Sequence, residues 1–113
     1  MLQRIFTIDF ETICAFSNNQ NIELPYHLWD LEKTFEKMQA ILETHQVSPT
    51  FFILSSTAEK YPKLVKQIAE HYDIGTHSYN HNLINTFTIK EFSQDLKKSI
   101  DIIEQLTGKK VNK

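Results

Sequence analysis

The stretch PTFFILS, residues 49–55, is a short run of apolar residues opened by a proline, and it is typical of a buried strand. The segments on both sides of it have helical periodicity, with apolar residues at steps of three and four. The preceding face comprises Leu28, Leu31, Phe35, Met38 and Leu42, and the following face comprises Tyr61, Leu64, Val65 and Ile68. The pattern predicts one strand between two amphipathic helices, which is a unit of an α/β fold.

The same alternation continues towards both ends of the chain. RIFTIDF, residues 4–10, is β-branched and aromatic and predicts a buried first strand, and YDIG, residues 72–75, predicts a very short third strand. A third helical face follows, formed by Phe92, Leu96, Ile100 and Ile103. No linker or repeat interrupts residues 1–113, so we expect a single domain with parallel strands and crossover helices, either an α/β sheet or part of a β/α barrel.

Helix boundaries are indicated by local signals. STAE, residues 56–59, and TIKE, residues 88–91, both fit a capping box, in which a hydroxyl and a carboxylate bond to free N–H groups at a helix start. Thr107-Gly108 is a stop signal after the third helical face. We therefore expect helices to begin at both boxes.

Composition excludes several classes of partner. The chain is 41% hydrophobic and 23% charged with a net charge of -2, so it has no basic stripe for nucleic acid or an anionic membrane.

Cys14 is the single cysteine, which excludes an intrachain disulfide. No apolar stretch approaches transmembrane length, and acidic residues at positions 9 and 11 interrupt the N-terminal run. These features lead us to expect a cytoplasmic protein.

Four chemically active side chains lie at or just beyond the carboxyl ends of the predicted strands. Asp9 and Glu11 come at the carboxyl end of the first strand, and His77 and His81 come just after the third. Ligands of α/β folds bind beyond the carboxyl ends of parallel strands, so all four side chains are expected on one rim. Two carboxylates and two imidazoles suit a borderline divalent metal such as Zn²⁺.

The spacing alone leaves simpler interpretations open. His77 and His81 can be solvated loop residues, Asp9 can serve in a cap or turn, and Glu11 can be an ordinary loop carboxylate. The stretch HSYNH also differs from the zincin motif H-E-x-x-H, because Ser78 stands where that motif needs its glutamate. A zincin-type metalloprotease is therefore not expected.

Three stretches in order, TIDFE, SPTFFIL and GTHSYNH, resemble the polysaccharide deacetylases (NodB-homology domain, carbohydrate esterase family 4). The resemblance implies a distorted β/α barrel, of the glycoside hydrolase/deacetylase type, that removes N- or O-acetyl groups from sugars with a divalent metal, often zinc. The family motif H-[ST]-x-x-H is matched throughout by His77 to His81, which implies that both histidines are metal ligands.

The first family motif is matched less regularly. It is commonly T-F-D-D-G, in which the first Asp is the catalytic base and the second a metal ligand. The resemblance therefore implies that Asp9 is the base. Phe10 stands at the second Asp position, and some members use D-x-[DE], so Glu11 is the expected third ligand. A strand residue two steps from Asp9 points to the same side, which supports this assignment.

The later family motifs are not in this sequence, namely R-x-P-x-Y, D-x-x-x-W and a leucine–histidine pair that supplies the general acid. We therefore expect the N-terminal part of a truncated domain that hydrolyses N-acetylhexosamine-containing carbohydrate weakly or not at all. The alternatives are a carbohydrate O-acetyl esterase, an allantoinase-like C–N hydrolase, or a non-catalytic remnant that binds metal, sugar or a partner. An open sheet edge also predicts self-association.

Overall fold

The computed structural model describes residues 4–12 and 30–113, and in these ranges it shows a three-stranded parallel sheet with helices. The strands are β1 (Thr7–Phe10), β2 (Thr50–Ile53) and β3 (Asp73–Thr76), in the spatial order β1-β2-β3. The helices are α1 (Leu31–Thr44), α2 (Ser55–Lys60), α3 (Pro62–His71) and α4 (Ile89–Thr107), with a 3₁₀ turn at Ile84–Thr86. The predicted α/β class with parallel strands is confirmed.

The strand register places alternate residues on two faces of the sheet. One face packs on the helices, and it carries the cross-strand neighbours Phe10 and Ile53 and the cross-strand neighbours Phe51 and Ile74. The opposite face, called here the open face, carries Thr7, Asp9, Thr50, Phe52, Asp73 and Gly75. The sheet therefore has its core on one side only among the described residues.

Four aromatic rings form the centre of the core. Phe35 from α1 lies edge-on to Phe10 and Phe51, with ring centroids 6.3 and 6.0 Å away, and Tyr72 lies 5.1 Å from Phe51. The predicted helical faces supply further large apolar side chains, among them Leu42, Leu64, Val65, Ile68 and Ile103. The predicted faces of α1 and α3 are thus confirmed for the described residues, and Leu28 lies outside them. On α4, Ile100 and Ile103 pack on this core, whereas Phe92 and Leu96 do not belong to it.

The expectation of a buried first strand over residues 4–10 was wrong in part. The strand begins at Thr7, and Ile5 and Phe6 are 83% and 54% exposed. Only Phe10 in β1 is fully buried. Ile5 and Phe6 are exposed because β1 lies at the edge of the sheet. β2 pairs with one side of β1, and helices cover one face of it.

The capping box expected at residues 56–59 was also wrong. The helix begins two residues earlier, with Leu54 and not Ser56 as its N-cap, and no side chain caps it. Tyr61 then interrupts the helical run, and Pro62 opens the separate helix α3. The free N–H groups at the start of α2 bond instead to backbone carbonyls of Ser78 and Tyr79, so a side-chain cap is not needed.

The second capping box is confirmed at the start of α4. The Thr88 hydroxyl accepts a hydrogen bond from the Glu91 N–H, and the Glu91 carboxylate accepts one from the Thr88 N–H at 2.7 Å. This contact lowers the pKa of Glu91. Gly108 ends the helix in the left-handed conformation with φ of 72°, as the Thr107-Gly108 signal predicts. In the described ranges, no helix has the length and apolar character needed to cross a membrane.

Candidate metal centre

Glu11 and His77 occupy equivalent places beyond two different strands. The last paired row is Phe10, Ile53 and Thr76, so the next residues are Glu11, Leu54 and His77. Two backbone hydrogen bonds extend the ladder into this row: the Leu54 N–H donates to the Phe10 carbonyl at 3.2 Å, and the His77 N–H to the Ile53 carbonyl at 2.9 Å. Glu11 and His77 therefore flank the carboxyl end of β2.

The side chains of Glu11, His77 and His81 converge at this end of the sheet. Glu11 Oε2 lies 3.6 Å from His77 Nε2 and 3.4 Å from His81 Nε2. The two imidazole rings lie edge to face with centroids 5.2 Å apart. One ligand atom from each residue lies within 4.8 Å of the others. The three side chains are 18% to 29% exposed, so the cluster is half-buried.

This donor set fits a divalent metal. Ligands about 2.1 Å from a tetrahedral Zn²⁺ stand about 3.4 Å from one another, which matches the separations of Glu11 Oε2 from the two Nε2 atoms. Glu11 Oε2 and His77 Nε2 are also buried and have no hydrogen-bond partner. Buried polar atoms are costly without a partner, and a metal ion at this point would satisfy both.

The backbone of the loop that carries the histidines, residues 77–81, is fixed by the first residues of α2. The N–H groups of Ser55 and Ser56 donate to the carbonyls of Ser78 and Tyr79 at 3.1 and 3.0 Å. Ser78 and His81 both have positive φ, 66° and 30°, which non-glycine residues rarely adopt. Such conformations persist where surrounding contacts enforce them, and at Ser78 the N-terminus of α2 provides such a contact.

Tyr79 anchors the same loop to two helices. Its hydroxyl donates to Glu59 of α2 at 3.0 Å, and its N–H donates to the Asp95 carboxylate of α4 at 3.2 Å. The Lys98 ammonium lies 3.4 Å from the centre of the Tyr79 ring, a cation–π contact. Tyr79 therefore works as an anchor in this arrangement, and its ring is engaged by α4.

Asp9 lies on the open face, in the same row as Phe52 and Gly75, and is exposed. It is not part of the cluster of Glu11, His77 and His81. It precedes Glu11 by two residues, so the two residues face the same side of the sheet. The structure thus brings together the three expected metal ligands, and Asp9 precedes them on β1.

A pocket of about 620 Å³ adjoins the histidines. Thr76, His77, Ser78 and His81 line one part of it, and the apolar part is lined by Leu83, Ile84, Phe87, Phe92 and Leu96. Its volume is within the range of pockets that hold small molecules. The cluster therefore has space for a ligand next to it.

The sequence did not indicate the residues that support the loop. Ser55, Thr76 and Ser99 form a hydrogen-bonded hydroxyl cluster beneath it, and Ser99 is fully buried. One signal was present: Ser99 lies on the apolar face of α4, three residues after Leu96 and four before Ile103. A small polar residue at such a position indicates a buried polar contact.

Curated relatives match this chain over its larger part. It is 39% identical over 80 residues to a peptidoglycan-N-acetylglucosamine deacetylase of Bacillus cereus, covering 70% of this chain and 29% of that protein. It is 41% identical over 76 residues to the uncharacterized protein YlxY of Bacillus subtilis, covering 66% of this chain and 24% of that protein. The chain therefore spans less than a third of the length of these two relatives.

Solved structures share the fold. A CE4 family pseudoenzyme from Bacillus anthracis superposes with a TM-score of 0.72 at 23% identity, covering 96% of this chain and 32% of that one. A peptidoglycan N-acetylglucosamine deacetylase superposes with a TM-score of 0.67 at 28% identity, covering 92% of this chain and 41% of that one. The fold is thus that of part of the deacetylase barrel, as the resemblance implied.

The sequence profile of the polysaccharide deacetylase family matches residues 24–113. This range includes both histidines of the cluster, whereas Asp9 and Glu11 precede it. Since the match covers most of the sequence, the chain belongs to the polysaccharide deacetylase family.

Proposed function

We propose that Glu11, His77 and His81 hold a divalent metal, Zn²⁺, in a hydrolase that removes N-acetyl groups from N-acetylhexosamine-containing carbohydrate. The observation that carries this proposal is the convergence of three ligand atoms, two of which are buried without a hydrogen-bond partner. Membership of the polysaccharide deacetylase family and similarity to a peptidoglycan-N-acetylglucosamine deacetylase support the substrate class.

The chemistry divides between the metal and the residues of the chain. A zinc ion held by Glu11, His77 and His81 would supply Lewis-acid chemistry, which polarises a carbonyl and lowers the pKa of a water molecule. In this proposal Asp9 is the general base and accepts the proton of the water that attacks the acetyl carbonyl. Its place on the open face leaves the carboxylate exposed to an approaching ligand. The pocket beside His77 and His81 provides space for a sugar ring.

The departing amine needs a proton from a general acid. The family's leucine–histidine pair, which supplies that acid, is not in the 113 residues. We therefore expect this chain by itself to bind zinc and to release acetate slowly.

Acetate release tests the substrate class. Zinc-loaded protein is incubated with N-acetylglucosamine oligomers and, in parallel, with acetylated xylan, and acetate is measured enzymatically. Release from the oligomers above that of the His77→Ala/His81→Ala variant supports N-deacetylation. Release from xylan alone would instead favour an O-acetyl esterase. The allantoinase-like C–N hydrolase is tested by measuring the formation of allantoate from allantoin with the wild type and with the same variant.

Other expectations from the sequence stay predictions. They are the single domain over residues 1–113, the cytoplasmic location and self-association through a sheet edge.

A non-catalytic protein that keeps the metal site is the second candidate, since the structurally similar Bacillus anthracis protein is described as a pseudoenzyme. Zinc binding without hydrolysis of any of these substrates would favour it.

A further inference from the structure

Three hydroxyl groups meet where α2, β3 and α4 pack together, beneath the loop of residues 77–81. Ser55 Oγ lies 2.5 Å from Ser99 Oγ and 3.1 Å from the Ser99 carbonyl oxygen. Thr76 Oγ1 is hydrogen-bonded to Ser99 Oγ. Ser55 and Ser99 are fully buried, so water does not compete for these bonds.

The number of protons fixes the direction of this hydrogen-bond chain. Each hydroxyl has a single proton to donate, and the Ser99 carbonyl can only accept, so the Ser55 proton goes to that carbonyl. The Ser99 proton then goes to Ser55 Oγ, and the Thr76 proton goes to Ser99 Oγ. Thr76 Oγ1 accepts in turn from the Ser78 N–H at 3.2 Å. All four contacts are satisfied in this one arrangement.

This chain of hydrogen bonds ends on the backbone of the loop of residues 77–81. The N–H of Ser78 donates to Thr76 Oγ1, and the carbonyl of Ser78 accepts from the Ser55 N–H at 3.1 Å. Ser78 is thus held on both sides while its φ is 66°. It directly follows His77, and His81 comes three residues later. Any relaxation of Ser78 would change the relative positions of the two imidazoles.

We propose that Ser99 is a positioning residue for the metal site, acting through Thr76 on the turn at Ser78. This inference rests on the proposed function and extends it to a residue of α4 that has no contact with the ligand atoms. In the absence of the Ser99 hydroxyl, Thr76 loses its acceptor and the Ser78 turn loses one of its supports. Metal binding must then restore the geometry of the two histidines, so the net free energy of binding becomes less favourable.

The test is the zinc dissociation constant of matched variants, measured by competition with a chromophoric chelator on protein shown to be folded by circular dichroism. Ser99→Ala and Thr76→Val remove the hydroxyls, and Thr76→Ser keeps one. We expect Ser99→Ala and Thr76→Val each to weaken zinc binding about tenfold, as for partners of metal ligands. Thr76→Ser stays within about threefold, and the Ser99→Ala/Thr76→Val double variant is about as weak as either alone, because both interrupt one chain of bonds.

Ile103→Val is the control for general destabilisation, since Ile103 is fully buried on the same helix and outside the hydroxyl cluster. It should leave the dissociation constant unchanged. Zinc binding by the wild type with an unchanged constant in Ser99→Ala and Thr76→Val would overturn this inference and leave the metal site intact. Equal weakening by Ile103→Val would overturn it as well. Should Ser99→Ala fail to fold, the Thr76→Val and Thr76→Ser pair decides. A wild type that binds no zinc would instead overturn the proposed function, and this inference with it.

Discussion

Glu11 Oε2 and His77 Nε2 lie 3.6 Å apart although their residues follow strands that are not neighbours in the sheet. Strands two places apart are separated by about 10 Å, so the two long side chains meet over the end of β2. Both atoms are buried without a hydrogen-bond partner. The proposed ligand role of Glu11, as distinct from the proposed role of Asp9, rests on this pair.

The first prediction compares two carboxylates that lie two residues apart. Glu11→Gln should weaken zinc binding at least about tenfold, because a direct ligand contributes no less than the outer partners of a site. Asp9→Asn makes the same chemical change at a residue outside the cluster and should alter the zinc dissociation constant by less than about threefold. Isothermal titration calorimetry measures both. The reverse ranking would assign the ligand role to Asp9.

The second prediction concerns the close approach of Gly75 to Phe52. A Cβ at position 75 would lie 2.6 Å from Phe52 Cε1 and 3.0 Å from the Lys113 carbonyl oxygen. Gly75→Ala should therefore destabilise the protein by about 1–3 kcal/mol, the usual cost of overpacking. Urea denaturation measures this free energy of unfolding. The Gly75→Ala/Phe52→Leu variant should lose less than the sum of the single changes, and strict additivity would contradict the proposed clash.

The third prediction concerns the capping box of α4. Thr88→Ala removes the side-chain bond to the Glu91 N–H and should lower the free energy of unfolding by about 1 kcal/mol. Ser93→Ala, at an exposed position inside the same helix, should be neutral or slightly stabilising, because alanine has the higher helix propensity. Thermal denaturation of both variants separates the contribution of the cap from that of helix propensity. Equal melting temperatures of Thr88→Ala and Ser93→Ala would argue against a contribution of the cap.

The fourth prediction concerns pH and Glu104. Its carboxylate accepts the Val111 N–H at 2.9 Å and pairs with Lys110 at 3.0 Å, and these contacts lower the pKa of Glu104. A pKa that is lower in the folded state gives stability that is present above the unfolded pKa and is lost as pH falls through the folded one. The stability advantage of the wild type over Glu104→Gln should therefore shrink from about pH 6 to about pH 3.

Urea midpoints at several pH values measure that advantage. Glu70→Gln, at an exposed position of α3, is the charge control and should follow the wild type across the range. An advantage of the wild type over Glu104→Gln that is constant with pH would contradict a role for the carboxylate charge at Val111.

Much of the fold follows from periodicity. Residues Phe35, Leu42, Val65 and Ile103 lie in the core where the steps of three and four residues predict them. What the pattern did not reveal was that Ile5 and Phe6 would be exposed. Apolar composition indicates a strand but does not tell whether that strand lies at the edge of the sheet.

Strand order predicted that Glu11, His77 and His81 lie on one rim, and the family resemblance indicated them as metal ligands, but the residues that support the loop were not predicted. Parallel strands bring Glu11 and His77 to the same rim whatever fills the rest of the fold. The start of α2 was misplaced, since its N–H groups bond to the carbonyls of Ser78 and Tyr79, more than twenty residues later in the chain. Backbone hydrogen bonds between residues this far apart in sequence leave no signal in local sequence preference. The Thr88 and Glu91 capping box is local, and it was predicted correctly.

The stoichiometry of zinc binding at equilibrium is the decisive measurement for the proposed metal site. We expect one zinc ion per wild-type chain, and loss of that site in the His77→Ala/His81→Ala variant. The matched control is His45→Ala/His71→Ala, which removes two exposed histidines outside the cluster and should bind zinc as the wild type does. Absence of zinc from the wild type, or unchanged binding in the His77→Ala/His81→Ala variant, would show that these histidines do not form a metal site.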